Sequence, residues 1–313
     1  MFFYREEMDG TYYEEVHTFL FDGAQICFLD NNDSIVEDVK IFNLIDPSCQ
    51  KVFLKLEKGF FHAVSTTLAQ ILIEHEKNNN VQIILGIDSK DSFGDIFNKF
   101  IVDTMKRKNI KYKIILLENN TIYKIDKCLY FSMTMLTYSG IKIIEKLGLE
   151  YSSNNPPYKK IILTRKLVHR FAKSPEGMFG GIDPNKFLFK DDIRMDNEDK
   201  VINYFEKLGF ECISPENFKS IEEQIRFFSE VKTIVSVTTA GLLNTVFMPQ
   251  GSKVIELAVP MVAGRTESLH SNLYSGISFA KNHKYIAIPT MRKAEDVIKI
   301  IENDISLKKY IAE

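Results

Sequence analysis

A chain of 313 residues is too long for one typical hydrophobic core and comfortable for two domains. Its 45% apolar and 26% charged residues are ordinary for a globular protein, and a net charge of -2 gives no reason to expect a nucleic-acid partner. No apolar run reaches the roughly 18 residues of a membrane span, so the expectation is a chain without a transmembrane segment that meets a membrane, if at all, by surface contact.

The N-terminus, MFFYREEMDG, lacks the basic and apolar regions of a signal peptide, which favours a cytoplasmic location. Cys27, Cys49, Cys128 and Cys212 are far apart and show no CxxC spacing. That argues against a zinc site or a disulfide framework and suits buried thiols in a reducing compartment. The six histidines have no ligand-type spacing. Charge is uneven. Residues 1–50 hold eleven acids and two bases, a balance of -9; with 42 acids and 40 bases in all, the remainder carries 31 and 38, or +7. A positive body suits an anionic small ligand, although a solvated acidic face reads the same way.

The first 56 residues read as short strands, including Val16–Phe21 and Gln25–Leu29 about an Asp22-Gly23 turn, and Lys51–Leu56. Helix and strand signals then alternate: a helix over Phe60–Glu76, a buried strand over Val81–Ile87, a helix over Ser92–Lys108, a buried strand over Tyr112–Leu117, and a helix over Leu136–Leu147 stopped by Gly148. The stretch Ser152-Ser153-Asn154-Asn155-Pro156-Pro157 has linker composition and divides an N-terminal domain, 1–151, from a C-terminal one, 158–313.

The second half repeats the alternation. Strands are predicted at Lys160–Leu163, Phe210–Ile213, Thr233–Val237, Lys253–Leu257 and Tyr285–Ile288. Helices are predicted at Glu198–Leu208, stopped by Gly209, and at Ile221–Ser229, Leu242–Phe247 and Ala294–Ile305. The last of these is a helix able to pack back on the N-terminal domain. The pattern implies α/β architecture with parallel sheets covered on both faces.

In such sheets ligands bind beyond the carboxyl ends of the strands. The loop after Lys160–Leu163 places Arg165, Lys166, Arg170 and Lys173 with His169 in ten residues. A diphosphate needs charge-assisted donors of this kind, and a basic surface loop is the competing reading. The loop after Thr233–Val237 reads Thr238-Thr239-Ala240-Gly241-Leu242-Leu243-Asn244. Small residues let a phosphate approach backbone N–H groups at a helix start; alternatively, Gly241 only allows close packing. Glu256, near the end of its strand, can accept two ribose hydroxyls or serve as a cap or ion-pair partner. The long segment 174–194, with Gly177, Gly180 and Gly181, reads either as a lid or acceptor guide or as surface decoration.

The segments Asn197–Asp199, Tyr204–Glu211, Ile213–Glu216, Ile221–Ser229, Ala240–Asn244 and Phe247–Leu257, in this order, resemble glycosyltransferase family 61. The likeness is dense over residues 158–257 and thins in the N-terminal half to Gly59-Phe60-Phe61-His62. It implies a GT-B fold, two Rossmann-like domains facing a central cleft. It also implies an inverting transfer from a nucleotide sugar, commonly UDP-linked, to a glycan hydroxyl, without an obligatory metal or other cofactor. By position it puts Arg165 and the Ala240–Gly241 turn at the donor diphosphate and Glu256 near the ribose. The chain departs from the family pattern at Thr238 and Thr239, where His-Gly is usual, at Ala63, where Trp is usual, and at Thr66, where an acid is usual.

An inverting transfer needs a base for the acceptor hydroxyl, charge for the leaving diphosphate, and alignment of both substrates. Arg165, Lys166 and the helix opening at Gly241 are assigned the second task; Thr238, Thr239, Ala240, Asn244 and Glu256 complete the donor set. His62 is the first choice of base, with His169 and Asp88 in reserve. A catalytically silent nucleotide-sugar or glycan-binding scaffold of the same fold is the alternative. An NAD-type protein is disfavoured because GxGxxG is absent.

Overall fold

The computed structural model describes residues 13–21, 26–28, 40–45, 48–56, 63–87, 96–119, 121–131, 138–164, 195–258, 268–290 and 293–312. The chain forms two compact units, Met1–Ile144 and Glu145–Glu313, both of α/β type.

The N-terminal unit is built on a seven-stranded sheet. Strands β1 (Tyr13–Phe21) and β2 (Ile26–Phe28) form the expected antiparallel pair, with Phe21 opposite Ile26; the Asp22-Gly23 turn itself lies outside the described residues. Strand β3 (Lys40–Asn43) and strand β4 (Lys51–Lys55) both run parallel to β7 (Thr121–Phe131). They share one edge of β7, while β1 runs antiparallel along the other. The sheet continues through β5 (Gln82–Ile87) to β6 (Lys111–Leu116), all parallel.

Helical periodicity and apolar runs do not mark β7, because Lys124, Asp126 and Lys127 interrupt it. Its place is set by tertiary contacts. Tyr123 and Ile125 are buried with Phe53 and Ile84, and Asp126 accepts a hydrogen bond from the Lys51 backbone N–H at 2.9 Å. Strand β6 departs from the expected buried strand: it lies at the end of the sheet order, with Lys111, Lys113 and Leu116 exposed. The predicted helix over Phe60–Glu76 appears as a π-helical turn, Ala63–Leu68, leading into α1 (Ala69–Lys77). Helix α2 spans Ile96–Arg107. His62 and Asp88 lie outside the described residues.

Helix α3 (Tyr138–Leu149) straddles the division between the units. Gly148 sits inside it rather than ending it; a Cβ there would lie 2.8 Å from Phe247 Cδ1, so the glycine serves close packing. The Ser152–Pro157 stretch is not a free tether. The Ser153 N–H donates to Ser229 Oγ at 2.8 Å, and Asn155 donates to Glu230 at 3.0 Å. Glu230 also pairs with Lys159 at 2.7 Å. The division by contacts therefore precedes this stretch, at residues 144 and 145.

The C-terminal unit carries a five-stranded, wholly parallel sheet in the order β12-β11-β10-β8-β9. Its strands are β8 (Lys159–Leu163), β9 (Glu211–Ile213), β10 (Val231–Val237), β11 (Lys253–Ala258) and β12 (Lys284–Pro289). Helix α4 (Glu198–Lys207) ends as predicted at Gly209, whose φ of 84° is the left-handed conformation glycine favours. Helix α5 (Ile221–Phe228) is capped by Ser220, which accepts from the Glu223 N–H at 3.1 Å. A 3₁₀ helix, Ala240–Phe247, joins β10 to β11.

Helix α6 (Ser268–Ala280) is absent from the sequence prediction. Its serines, asparagine and glycine are weak helix formers, and burial of Tyr274 and Ile277 compensates. The single predicted C-terminal helix is two, α7 (Ala294–Asn303) and α8 (Ile305–Ala312). Asp304 leaves helical geometry between them, and its carboxylate accepts from the Leu307 N–H at 3.0 Å. Both helices belong to this unit: Val297, Ile301 and Ile311 pack with Val201 and Phe205 of α4 against Ile162, Val235, Ile255 and Leu257. Lys253 also donates to the Tyr310 carbonyl at 2.8 Å.

Two predictions follow from this packing. A Cβ on Gly86 would lie 2.5 Å from the Phe53 ring. Gly86→Ala should therefore lower the unfolding free energy by about 1–3 kcal/mol in denaturant titrations. The second concerns acid. Burial holds His283 neutral, lowering its pKa to about 4 from 6.5, while its Nε2–H donates to the Thr245 carbonyl at 2.9 Å. Hydrogen bonds from Lys159, Ser153 and Asn155 lower Glu230 to about 2 from 4.5. Both groups bind more protons unfolded than folded, so stability falls as pH drops from 6.5 towards 4 through His283 and from 4.5 towards 2 through Glu230. His283→Gln should flatten the first window and Glu230→Gln the second, read as unfolding free energy against pH.

Candidate functional site

The strand order places a topological switch in the C-terminal unit. From β8 the chain passes through α4 to β9 on one side; β10, on the other side of β8, leads away to β11. The connections after β8 and β10 diverge, and in open α/β sheets ligands bind at such a switch. The two connections also take opposite faces. Ile162 packs in the cluster that holds α4, whereas its neighbour Leu163 lies under Gly241 at the start of the 3₁₀ helix, where a Cβ would approach Leu163 Cδ1 at 3.2 Å. Successive strand residues point to opposite faces. The two loops singled out in the sequence therefore leave the sheet at the switch. Arg165, Lys166 and His169 directly follow the last described residue of the first, Thr164, and lie outside the described residues, as does the segment 174–194.

The second loop is described in full. Thr238 follows β10 and is buried; its N–H donates to the Leu257 carbonyl at 3.3 Å, and its hydroxyl donates to Glu256 Oε1 at 2.5 Å. Thr239 adopts extended geometry and caps the 3₁₀ helix, its Oγ1 accepting from the Gly241 N–H at 3.1 Å. Ala240 is exposed and Gly241 partly so. A Cβ on Gly241 would also crowd Thr239 Oγ1 at 3.2 Å and meet Pro215 at 3.7 Å. Glycine at 241 thus answers a packing requirement.

Asn244 and Glu256 were expected to face the donor, yet both are fully buried. Asn244 Nδ2 donates to the Gly241 carbonyl at 2.9 Å and its Oδ1 accepts from Gln224 Nε2 at 2.5 Å. Glu256 accepts at Oε1 from Thr238 and at Oε2 from Tyr285, whose hydroxyl lies at 2.5 Å. Burial pushes the Glu256 carboxyl above its usual range, against the pull of these two donors, and burial beside Glu256 raises Tyr285 as well. In this arrangement Asn244 and Glu256 act on the turn from within.

Gln224 and Tyr285 were not anticipated as site residues. Gln224 lies in a helix recognised by its apolar periodicity, and its spacing already placed it on the buried face. Tyr285 opens a predicted strand and belongs to no motif. Among the described residues, no group of three or more His, Cys, Asp or Glu side chains is placed to hold a metal ion, and no helix is long and apolar enough to cross a membrane.

A wholly parallel sheet with a topological switch beside a small-residue helix start marks the C-terminal unit as an open α/β fold. The family model for Glycosyltransferase 61 matches residues 60–255, more than half of the chain, and the protein belongs to that family. A search of the curated proteins gives no match.

The Gln224–Asn244–Gly241 bracket generates a prediction. Asn244→Ala strands both the Gln224 amide and the Gly241 carbonyl in the interior. The expected loss is about 1–3 kcal/mol of stability. Gln224→Ala added to it should cost less than in the wild type, a coupling that a double-mutant cycle in urea measures.

Proposed function

We propose that the protein is an inverting, metal-independent glycosyltransferase of GT-B architecture. On this reading it transfers a sugar from a nucleotide donor, UDP-linked and of a type such as xylose or N-acetylglucosamine, to a hydroxyl of a glycan acceptor. The C-terminal unit is the donor side and the N-terminal unit the acceptor side. The observation that carries this reading is the strand order. It brings the ends of β8 and β10 together, and with them Thr164, after which the basic 165–173 sequence begins, and the small-residue turn. Family membership supplies the reaction class.

In the proposed mechanism Arg165 and Lys166 neutralise the leaving diphosphate. The Ala240 N–H, at the positive end of the 3₁₀ helix, adds a donor in place of a metal, while Gly241, its own N–H held by Thr239, lets the phosphate approach. Thr238, Thr239, Asn244 and Glu256 keep that turn in shape. His62 serves as base for the acceptor hydroxyl. A cytoplasmic setting suits Cys49 and Cys212, neither of which is in a disulfide.

The test is a panel of nucleotide sugars, with and without chelator, read by thermal shift and by nucleotide release. One UDP-sugar should raise the melting temperature and release UDP, chelator or not. Arg165→Ala should weaken its binding by about tenfold or more, as loss of a charge-assisted contact does. His62→Ala should leave donor binding intact and abolish transfer; near-normal turnover would remove His62 from the mechanism. Binding without release or transfer on any acceptor would favour the silent scaffold, which the Thr238-Thr239 replacement of His-Gly also suits. No shift with any nucleotide sugar would overturn the donor site.

A further inference from the structure

Glu256 is an expensive residue where it stands. Its strand neighbours Val254, Ile255 and Leu257 are apolar and buried, and Glu256 itself is fully enclosed. A buried carboxylate needs donors to offset its lost hydration. Two are present, one on each side. Thr238 reaches Oε1 from the end of β10, and Tyr285 reaches Oε2 from β12. The register explains how. Ser236, Glu256 and Ala287 are aligned across β10, β11 and β12, and Tyr285 lies two residues earlier on the same face as Ala287. The network therefore crosses three strands and ends on the first residue of the switch-point turn.

That turn is pinned at two points. Thr238 is tied to Glu256, and the Gly241 carbonyl is tied to Asn244. Between them lie Thr239, which is buried, and Ala240, which is exposed. A tether on Thr238 fixes the direction in which Thr239 enters the 3₁₀ helix, and so the aim of the Ala240 N–H that follows.

We propose that Tyr285 is a positioning residue for the donor turn: through Glu256 it fixes Thr238 and aims the Ala240 N–H at the diphosphate of a bound nucleotide. This rests on the donor-site reading above. It also assigns Glu256 to the turn rather than to the ribose hydroxyls, since each of its oxygens already accepts an internal hydrogen bond and the residue has no exposed surface.

The test titrates UDP and 2′-deoxy-UDP by calorimetry into the full-length wild type, Tyr285→Phe, Thr238→Val and Thr238→Ser. Steady-state transfer is measured alongside with the UDP-sugar that binds. Tyr285→Phe and Thr238→Val should each weaken UDP binding by about five- to tenfold, the scale of one ordinary hydrogen bond's net contribution. Thr238→Ser, which keeps the hydroxyl, should stay within about twofold of wild type on the same scale. KM for the donor should rise with little change in kcat, and the ratio of UDP to 2′-deoxy-UDP affinity should be the same in every protein. If Tyr285→Phe does not fold, the Thr238 pair decides. Wild-type affinity in both Tyr285→Phe and Thr238→Val would overturn the positioning role and leave the donor site standing. A deoxy-UDP ratio that collapses in Tyr285→Phe would overturn it in favour of a ribose contact. A wild type that binds no UDP would bring down the donor reading and this inference with it.

Discussion

The position of β8 between β9 and β10 governs the C-terminal unit. Because the chain runs from β8 to one neighbour and reaches the other only after a further helix, the connections above β8 and β10 must part. The pairing of Ile161 with Ile234 and Leu163 with Ser236 keeps the two strand ends level. Thr164, after which the basic segment begins, and the turn of small residues are thus delivered to one end of the sheet although some 70 residues separate them in sequence. Apolar burial on both faces holds this ladder: α4, α7 and α8 on one, and the 3₁₀ helix, set against Leu163, on the other.

The turn itself is organised by polar groups that never reach solvent. Where the family usually has His-Gly, this chain has two threonines, and both hydroxyls have structural partners: Thr238 serves Glu256 and Thr239 serves the Gly241 N–H. Asn244 and Gln224 complete the bracket behind. Burying so many polar atoms is tolerable only when they satisfy one another, and here they do so around the few residues whose backbone remains open. Rigid support beneath an exposed turn is what preorganised recognition of an anion requires.

The N-terminal unit follows a different logic. Its long strand β7 joins an antiparallel pair to a parallel array, and its alternating lysines and aspartate disguise it. The edge strand β6 shows the converse: its run of apolar residues suggests full burial, but lying at the end of the sheet leaves half of it exposed. Gly148 and Gly241 teach a related lesson. Gly148 reads from the sequence as a helix stop and Gly241 as either an opening for a phosphate or an aid to close packing, and both stand close to a neighbouring side chain, Phe247 and Leu163 respectively.

What the sequence determined by itself was the alternation of strands and helices, the parallel α/β class, the helix stop at Gly209 and the two loops to watch. These are local signals, written in apolar spacing and in glycine's freedom of φ. The ordered motifs between Asn197 and Leu257 also carried the family. Tertiary structure alone decided strand order, the place of β7, the formation of α6, the break at Asp304 and the direction in which Glu256 and Asn244 point. Each of these depends on what a residue meets across the fold. A carboxylate near a strand end has the same spelling whether it faces a ligand or a buried tyrosine, and only the register of β10, β11 and β12 brings Tyr285 and Thr238 to Glu256.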